Sequence, residues 1–392
     1  MGQYQKHRID SQRVKPGLLV VTELFLPTKG GTAVWFDEVY RRLGGKEIHI
    51  VTARVPGWEE HDRTHPNTVH RLNLRRYFWL RPESLAMYAR LFWTSLWIVW
   101  RFPINAVHAG RVLPEGLVGL WVARLFRKPL VVYAHGEEIT TWRQPKKFRA
   151  MVFTYRHADL VIANSDFTRQ KLLELGVVPE RIVKISPGVD TERFRPGLPT
   201  QDLFERLGLA PDTPLILSVG RLSRRKGFDQ VIRALPKVLE AIPSVHYVIV
   251  GIGQDEEYLK RLAQEEGVTE RVHFLGPVPM EELPRWYNAC SVFAMPNREI
   301  DGDNEGFGMV FLEAAACGKP CLAGKDGGTG DAVTEQVTGI RVNGQVVEEV
   351  AQALIALLRF PNRGQGYEVV RAQYSWSRVV EKTRDLQSIW CK

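Results

Sequence analysis

Residues 304–334 read NEGFGMVFLEAAACGKPCLAGKDGGTGDAVT, and this stretch decides the fold. It opens with Glu305-Gly306-Phe307-Gly308 and runs into a helical segment that carries Glu313, eight positions after Glu305. Glycines let a backbone approach a ligand closely. A helix start behind them offers unpaired N–H groups and the positive end of a dipole, which suits a diphosphate. The two carboxylates can accept hydrogen bonds from sugar or ribose hydroxyls. Glu305, Phe307, Gly308, Met309, Val310 and Glu313 therefore suit a nucleotide joined to a sugar.

Working outward, the sequence Gly220-Arg221-Leu222-Ser223-Arg224-Arg225-Lys226-Gly227 follows the apolar run LILSV at 215–219. Arg221 offers a fixed fork and Lys226 a point charge to the same diphosphate. A solvated basic turn is the competing reading. The flanking glycines at a strand end favour phosphate. Around this pair, short apolar strands are expected at 246–250, 272–275, 292–295, 320–323 and 338–342. Helices are expected at 229–241, 256–266, 281–288, 309–316 and 348–359. The first half alternates likewise, with strands at 17–22, 48–52, 69–72, 106–108, 130–134 and 160–163. Its helices fall at 33–43, 85–101, 116–126, 148–157 and 167–175. Strands separated by helices of this length imply parallel sheets, and 392 residues exceed one ordinary core. The expected architecture is α/β, with two Rossmann-like domains (1–196 and 197–375) facing a central cleft. The amphipathic segment 376–392 is placed as a helix that can return across the first domain. Ligands should meet the carboxyl ends of the strands.

In the first half, Gly30-Gly31 follows the first strand, where its amides can meet a donor phosphate or merely make a tight turn. His135-Gly136 follows the strand LVVYA, and a histidine at a strand end can reach a substrate hydroxyl; a satisfied structural histidine is the alternative. Residues 143–156, RQPKKFRAMVFTYR, place Arg143, Lys146, Lys147 and Arg149 on one basic, aromatic stretch. It reads equally as an acceptor or membrane-surface contact and as a solvated helix face. LRRYFWLRP at 74–82 adds to the membrane reading. The net charge of +9 is lopsided, with +13 in residues 1–196 and −4 in the remainder. A basic first half calls for an anionic partner. No nucleic-acid motif accompanies the charge, so nucleic acid is not an expected partner.

Other chemistries are disfavoured. Nothing fixes Glu305 and Glu313 at a separation needed for glycoside hydrolysis. Cys317 and Cys321 lack a second ligand pair, and Asp301-Gly302-Asp303 sits in a polar loop with no third ligand, so no metal is expected. The four cysteines are read as free thiols. The N-terminus lacks an apolar signal core, and Lys6 stands where a myristoylation site needs Ser or Thr. The stretch 85–102 contains Arg90 and Arg101 and reads better as a buried or interfacial helix than as a membrane span. The expected location is the cytoplasm, either free or peripheral at the inner face of the membrane.

Taken in order, Gly30-Gly31, His135-Gly136, Asn164-Ser165, Pro187-Gly188-Val189-Asp190, Gly220-Arg221…Lys226-Gly227 and Glu305-x7-Glu313 resemble glycosyltransferase family 4 over nearly the whole chain. That large retaining family has the GT-B fold. Within it, the segment 305–331 is most similar to the GDP-mannose-dependent phosphatidylinositol mannosyltransferase type. The resemblance implies transfer of a hexose, mannose favoured, from a nucleotide-diphosphate sugar to a lipid or glycan hydroxyl. It implies that Arg221 and Lys226 stabilise the leaving diphosphate without a metal. Glu305, helped by the amides of residues 307–310, would hold sugar hydroxyls and Glu313 the ribose. His135 would contact the sugar, with Gly31, beside Gly30, at the phosphate and Gly220 at the donor-side strand end. The sequence departs from the common pattern in the polar insertion 297–304 and in Asp331, where many relatives carry Glu. A GT-B nucleotide-sugar epimerase, a UDP-sugar-dependent transferase and a silent membrane-bound scaffold remain as rival readings.

Overall fold

The computed structural model describes residues 17–76, 83–359 and 365–390. The start 1–16, residues 77–82 of the basic aromatic stretch and Cys391 lie outside the described residues. The first domain runs β1 (Gly17–Val21), α1 (Gly31–Leu43), β2 (Ile48–Ala53), α2 (Trp58–Arg63), β3 (Thr68–Leu72), α3 (Leu85–Arg101) and β4 (Ile104–Ala109). It continues through α4 (Leu117–Leu125), β5 (Leu130–Ala134), α5 (Glu137–Thr141), α6 (Pro145–His157), β6 (Leu160–Ala163), α7 (Asp166–Glu174) and β7 (Ile182–Lys184). The sheet order is β3-β2-β1-β4-β5-β6-β7, with parallel pairing in register such as Leu19 beside His49 and Val107. β1 and β5 are buried at every position because helices cover both sheet faces.

The second domain runs α8 (Gln201–Leu207), β8 (Leu215–Val219), α9 (Phe228–Ala241), β9 (His246–Val250), α10 (Glu256–Glu265), β10 (Val272–Gly276), α11 (Leu283–Ala289) and β11 (Val292–Met295). Then come α12 (Met309–Ala316), β12 (Cys321–Gly324), α13 (Thr329–Ala332), β13 (Gly339–Val342) and α14 (Val347–Arg359). Its parallel sheet is ordered β10-β9-β8-β11-β12-β13. In each sheet the strand order reverses beside the first strand, between β1 and β4 and between β8 and β11, the position where such sheets bind ligands. One apolar core fills the second domain, while two cores flank the first sheet.

The chain closes with α15 (Gln365–Tyr374) and α16 (Trp376–Trp390). α15 packs on α12, whereas α16 packs on α1, with Trp376, Val379 and Val380 joining a first-domain core. The chain thus crosses between domains twice, and the crossings touch: Val189 N donates to Tyr374 O at 2.9 Å.

Elements found by periodicity recur in the structure. Short ones escaped it: β7 has only three residues, α5 only five, and α15 begins among Gly and Gln. No described helix is long and apolar enough to cross a membrane, and α3 ends after 17 residues.

Candidate active site at the domain junction

The loops after β8 and β11 meet at Glu305. Gly227, at φ 77°, closes a 3-10 turn over Arg224–Lys226 and starts α9, so the cations point from the strand end. Lys226 Nζ and Arg225 NH1 both donate to Glu305 Oε2, the latter at 2.8 Å. Burial alone would raise the Glu305 pKa, but Lys226 and Arg225 outweigh it and hold the carboxyl down to about 2. Arg225 also reaches Asp303, 3.0 Å from its Nε, so Asp303 is an ion-pair partner. Arg225 thus joins the site although the motif had singled out Arg221. The signal was weak because three basic residues adjoin in Arg224-Arg225-Lys226. Arg221 is exposed and makes no hydrogen bond or ion pair with the described residues.

Gly308 adopts φ 89° and turns the chain into α12, so the amides of Met309 and Val310 lie in its first turn. Glu313, one turn on, accepts a hydrogen bond of 2.6 Å from the Tyr287 hydroxyl. Burial pushes its pKa up to about 7 against the opposing pull of Tyr287 and Arg193. The two carboxylates of one motif therefore differ: Glu305 is a fixed anion, and Glu313 titrates near neutrality.

The first domain approaches this site through backbone. A Cβ on Gly306 would stand 2.2 Å from His135 O and 3.1 Å from Asn164 Nδ2. A Cβ on Gly31 would stand 2.9 Å from Met309 Sδ, while Gly30 takes φ 136°. Only glycine fits these approaches without displacement. Gly220, at φ 152°, makes the turn after β8. The His135 ring lies at the edges of Trp35 and Phe36, and its Nε2 is 2.8 Å from Gly110 O. With Nε2–H on that carbonyl, Nδ1 is left as an acceptor. Burial lowers the His135 pKa against the opposing charge of Glu138, so the ring is neutral at pH 7.

The basic stretch divides. Arg143 lies against Gly302 of the polar insertion, so it faces the second domain. Lys147 Nζ sits 3.6 Å over the Trp142 ring, and burial, then Arg76 and Arg111, lower its pKa. Lys146 and Arg149 are exposed on α6. Arg111, just beyond β4, was missed by sequence reasoning. Neither it, Arg76 nor Lys147 has an ion-pair partner among the described residues, and its charge is felt at both His135 and Lys147. Cys290, Cys317 and Cys321 are buried free thiols.

The family model for "Glycosyl transferases group 1" matches residues 199–366, and that for "Glycosyltransferase Family 4" matches residues 29–193. A GDP-mannose-dependent alpha-(1-6)-phosphatidylinositol monomannoside mannosyltransferase of Mycolicibacterium smegmatis is 32% identical over 374 residues, covering 94% of this chain and 96% of its own. A D-inositol 3-phosphate glycosyltransferase of Thermobifida fusca is 35% identical over 390 residues, covering 90% and 87%. The solved structure of Anabaena HepE in complex with UDP-glucose superposes with a TM-score of 0.78 at 21% identity, covering 95% of this chain and 99% of that one. The fold is GT-B, and the chain belongs to the family 4 glycosyltransferases.

Proposed function

We propose that this glycosyltransferase moves mannose, with retention of configuration, from GDP-mannose to a hydroxyl of an inositol-bearing phospholipid at a membrane surface. The observation that carries the reading is the junction itself. Lys226, Arg225 and Glu305 of the second domain face the His135 end of the first, beside Arg76, Arg111 and Lys147, cations without an ion-pair partner among the described residues. The mannosyltransferases named for phosphatidylinositol mannosides among its relatives support the donor and the acceptor class.

In this reading the diphosphate takes Lys226 from Glu305 and draws in Arg221 and the amides at the start of α12. Glu305, released but still ionised, accepts from sugar hydroxyls; Glu313 accepts from the ribose. The bond from the anomeric carbon to the diphosphate oxygen breaks as the acceptor oxygen bonds on the same face. The acceptor proton passes to the departing diphosphate. Fixed cations and N–H groups stabilise the negative charge as it forms, so transfer needs no divalent metal at the phosphates. Glu305 keeps its pair with Arg225 when Lys226 leaves, which suits hydroxyl recognition better than service as a covalent nucleophile. The acceptor phosphate sits on Arg111 and Lys147, and closure of the domains aligns the reactants and excludes water.

Exposed aromatic residues of α3 and α4 support contact with a membrane surface. Trp93, Trp97 and Trp100 recur on one helical face, with Trp93 65% and Trp100 73% exposed. Trp121 and Leu125 of α4 are also exposed, and Phe92 contacts both Trp93 and Trp121. Arg101, Arg124 and Arg127 flank this apolar face, the pattern of an interfacial surface next to anionic lipid. The location proposed is peripheral, at the cytoplasmic face of the membrane.

The test is a donor screen with GDP-mannose, UDP-glucose, UDP-N-acetylglucosamine and UDP-galactose over phosphatidylinositol vesicles, with product anomer read by NMR. Lipid-dependent GDP release from GDP-mannose, an α-linked product and no stimulation by Mg²⁺ or Mn²⁺ are expected. A preferred UDP-sugar, an inverted anomer or sugar interconversion without acceptor would overturn it.

A further inference from the structure

Away from the junction, Asp37 on α1, His61 on α2 and His65 just beyond it converge, their ligating atoms all within 4.8 Å of one another. His61 Nε2 lies 2.8 Å, and His65 Nε2 3.2 Å, from the same atom, Asp37 Oδ1. Asp37 is 0% exposed and His65 6%. Yet Asp37 Oδ2 and His65 Nε2 have no hydrogen-bond partner among the described residues, and the Arg41 guanidinium is 3.7 Å from Oδ2. Two buried polar atoms thus share one small space with ionic neighbours but no well-formed hydrogen bond, an arrangement that is costly without a better partner.

The surroundings suit a cation. His61 Nδ1 is 2.9 Å from Asp62 Oδ1, and Arg71 grips Asp62 through both oxygens at 2.9 and 2.8 Å. Asp62 accepts from Nδ1–H while Nε2–H donates to Asp37, so an ion that displaces this one bridging proton meets the Nε2 lone pair beside the Asp37 oxygen. A carboxylate behind a histidine is the usual outer support of a metal-binding imidazole. The two imidazoles stack at 5.2 Å, with the Phe25 ring at their edges.

We propose that Asp37, His61 and His65 bind one divalent transition ion of the zinc class, with the fourth position open to solvent on the His61 side. Two imidazoles and one carboxylate suit Zn²⁺ better than Mg²⁺ or Ca²⁺. A proton bridging His61 and Asp37 serves only one carboxylate oxygen, whereas a dication serves Asp37 and both imidazoles. Asn67 N contacts His65 Nδ1 at a long 3.3 Å, and this contact loosens when Nε2 coordinates. The ion acts as a brace. Asp37 lies six residues into α1 from Gly31, roughly 9 Å along the helix. Arg71 also donates to Leu26 O, holding the loop that leads to Gly30. A chelator therefore acts on the glycine loop with no metal at the phosphates.

The experiment uses tag-free full-length protein, stripped of metal and titrated with Co²⁺ as a spectroscopic substitute for zinc. One equivalent should bind with the intense visible bands of a four-coordinate ion, and Zn²⁺ should displace it. Binding should weaken by roughly 10–100-fold in Asp62→Asn, which loses only the outer support, and further in His65→Ala and Asp37→Asn. It should be unchanged in His246→Ala, at the unrelated pair 2.8 Å from His273. Each variant is melted in metal-free buffer to establish that it is folded. The proposal is overturned by folded wild-type protein that shows no saturable band, by weak octahedral bands only, or by wild-type affinity in folded His65→Ala and Asp37→Asn.

Discussion

Replacing Gly306 by alanine tests whether the two domains must meet as closely as they do here. The added Cβ would stand 2.2 Å from His135 O, where ordinary contact begins at 3.4 Å, so the shortfall is roughly 1 Å. His135 O cannot swing aside. It is backbone, it accepts from Asn164 Nδ2 at 3.0 Å, and the adjoining His135 N donates to Glu138 Oε1 at 3.0 Å. The position is outside the left-handed region, so alanine itself adds little backbone strain. The obstruction therefore falls between domains, and the expected response is incomplete closure. A misplacement of about 1 Å costs on the order of 100-fold in rate, while stability should change by less than ~0.5 kcal/mol. Steady-state rates with GDP-mannose and acceptor vesicles, beside urea unfolding, separate the two effects. Activity within about three-fold of wild type, which corresponds to less than ~1 kcal/mol of transition-state stabilisation, would refute the claim that closure at Gly306 gates transfer. So would a large loss of stability accompanying the loss of rate, because the contact would then belong to folding.

Lys226→Ala should lower kcat by roughly 10²–10³-fold, the usual cost of one donor to a developing anion, with thermal stability measured alongside to exclude unfolding. Glu305 has a depressed pKa, so its ion pairs stabilise the fold above pH 4.5 and are lost as pH falls toward 2. The drop is worth about 3 kcal/mol and should be absent in Glu305→Gln when unfolding is followed across that window. Glu313 has the opposite sign: its raised pKa means stability is full below 4.5 and declines as pH rises through about 7. Glu313→Gln should accordingly be more stable than wild type at pH 8, by at most about 3 kcal/mol, and indistinguishable at pH 4 in ligand-free urea titrations. Trp93→Ser combined with Trp100→Ser should weaken sedimentation with anionic vesicles by roughly 10-fold or more, leaving donor-induced thermal stabilisation intact.

The sheets were legible because buried parallel strands are written as continuous apolar runs, such as LLVV at 18–21 and LILSV at 215–219, separated by amphipathic helices. Glu305, Lys226, Gly30 and Gly31 could be singled out because they fall where strands end, but the sequence set its glycines against a ligand and did not show that Gly306 and Gly31 meet the other domain. What escaped notice depended on contacts distant in sequence. Arg225 is indistinguishable from Arg224 in the string, and only the turn at Gly227 sends one to Glu305 and the other over the Tyr258 ring. Arg111 carries no local motif, and its significance comes from pairing of β4 with β5, which sets it beside His135. Asp37 lies 24 residues before His61, so no local spacing could announce their convergence.

The contacts between domains suggest how such a site can open and still close in register. At the jaws, contact is made by glycines and main-chain carbonyls: Gly306 against His135 O and Gly302 against Thr140 O. Such surfaces have little apolar area to hold them shut, so donor and acceptor can supply much of the closing energy. Toward the chain crossings the ties differ. Asp331 of α13 accepts from Asp166 N at 2.7 Å and from Lys184 Nζ at 2.6 Å, and Tyr374 O holds Val189 N beside both chain crossings. Gly188 has no room for a side chain there, since a Cβ would stand 2.7 Å from Tyr374 O. α16 then anchors the returning chain on α1, the helix that begins at Gly31. Rotation about the paired crossings would thus carry Gly31 and His135 together toward Met309 and Gly306. One hinge can therefore bring both first-domain contacts onto the donor at once.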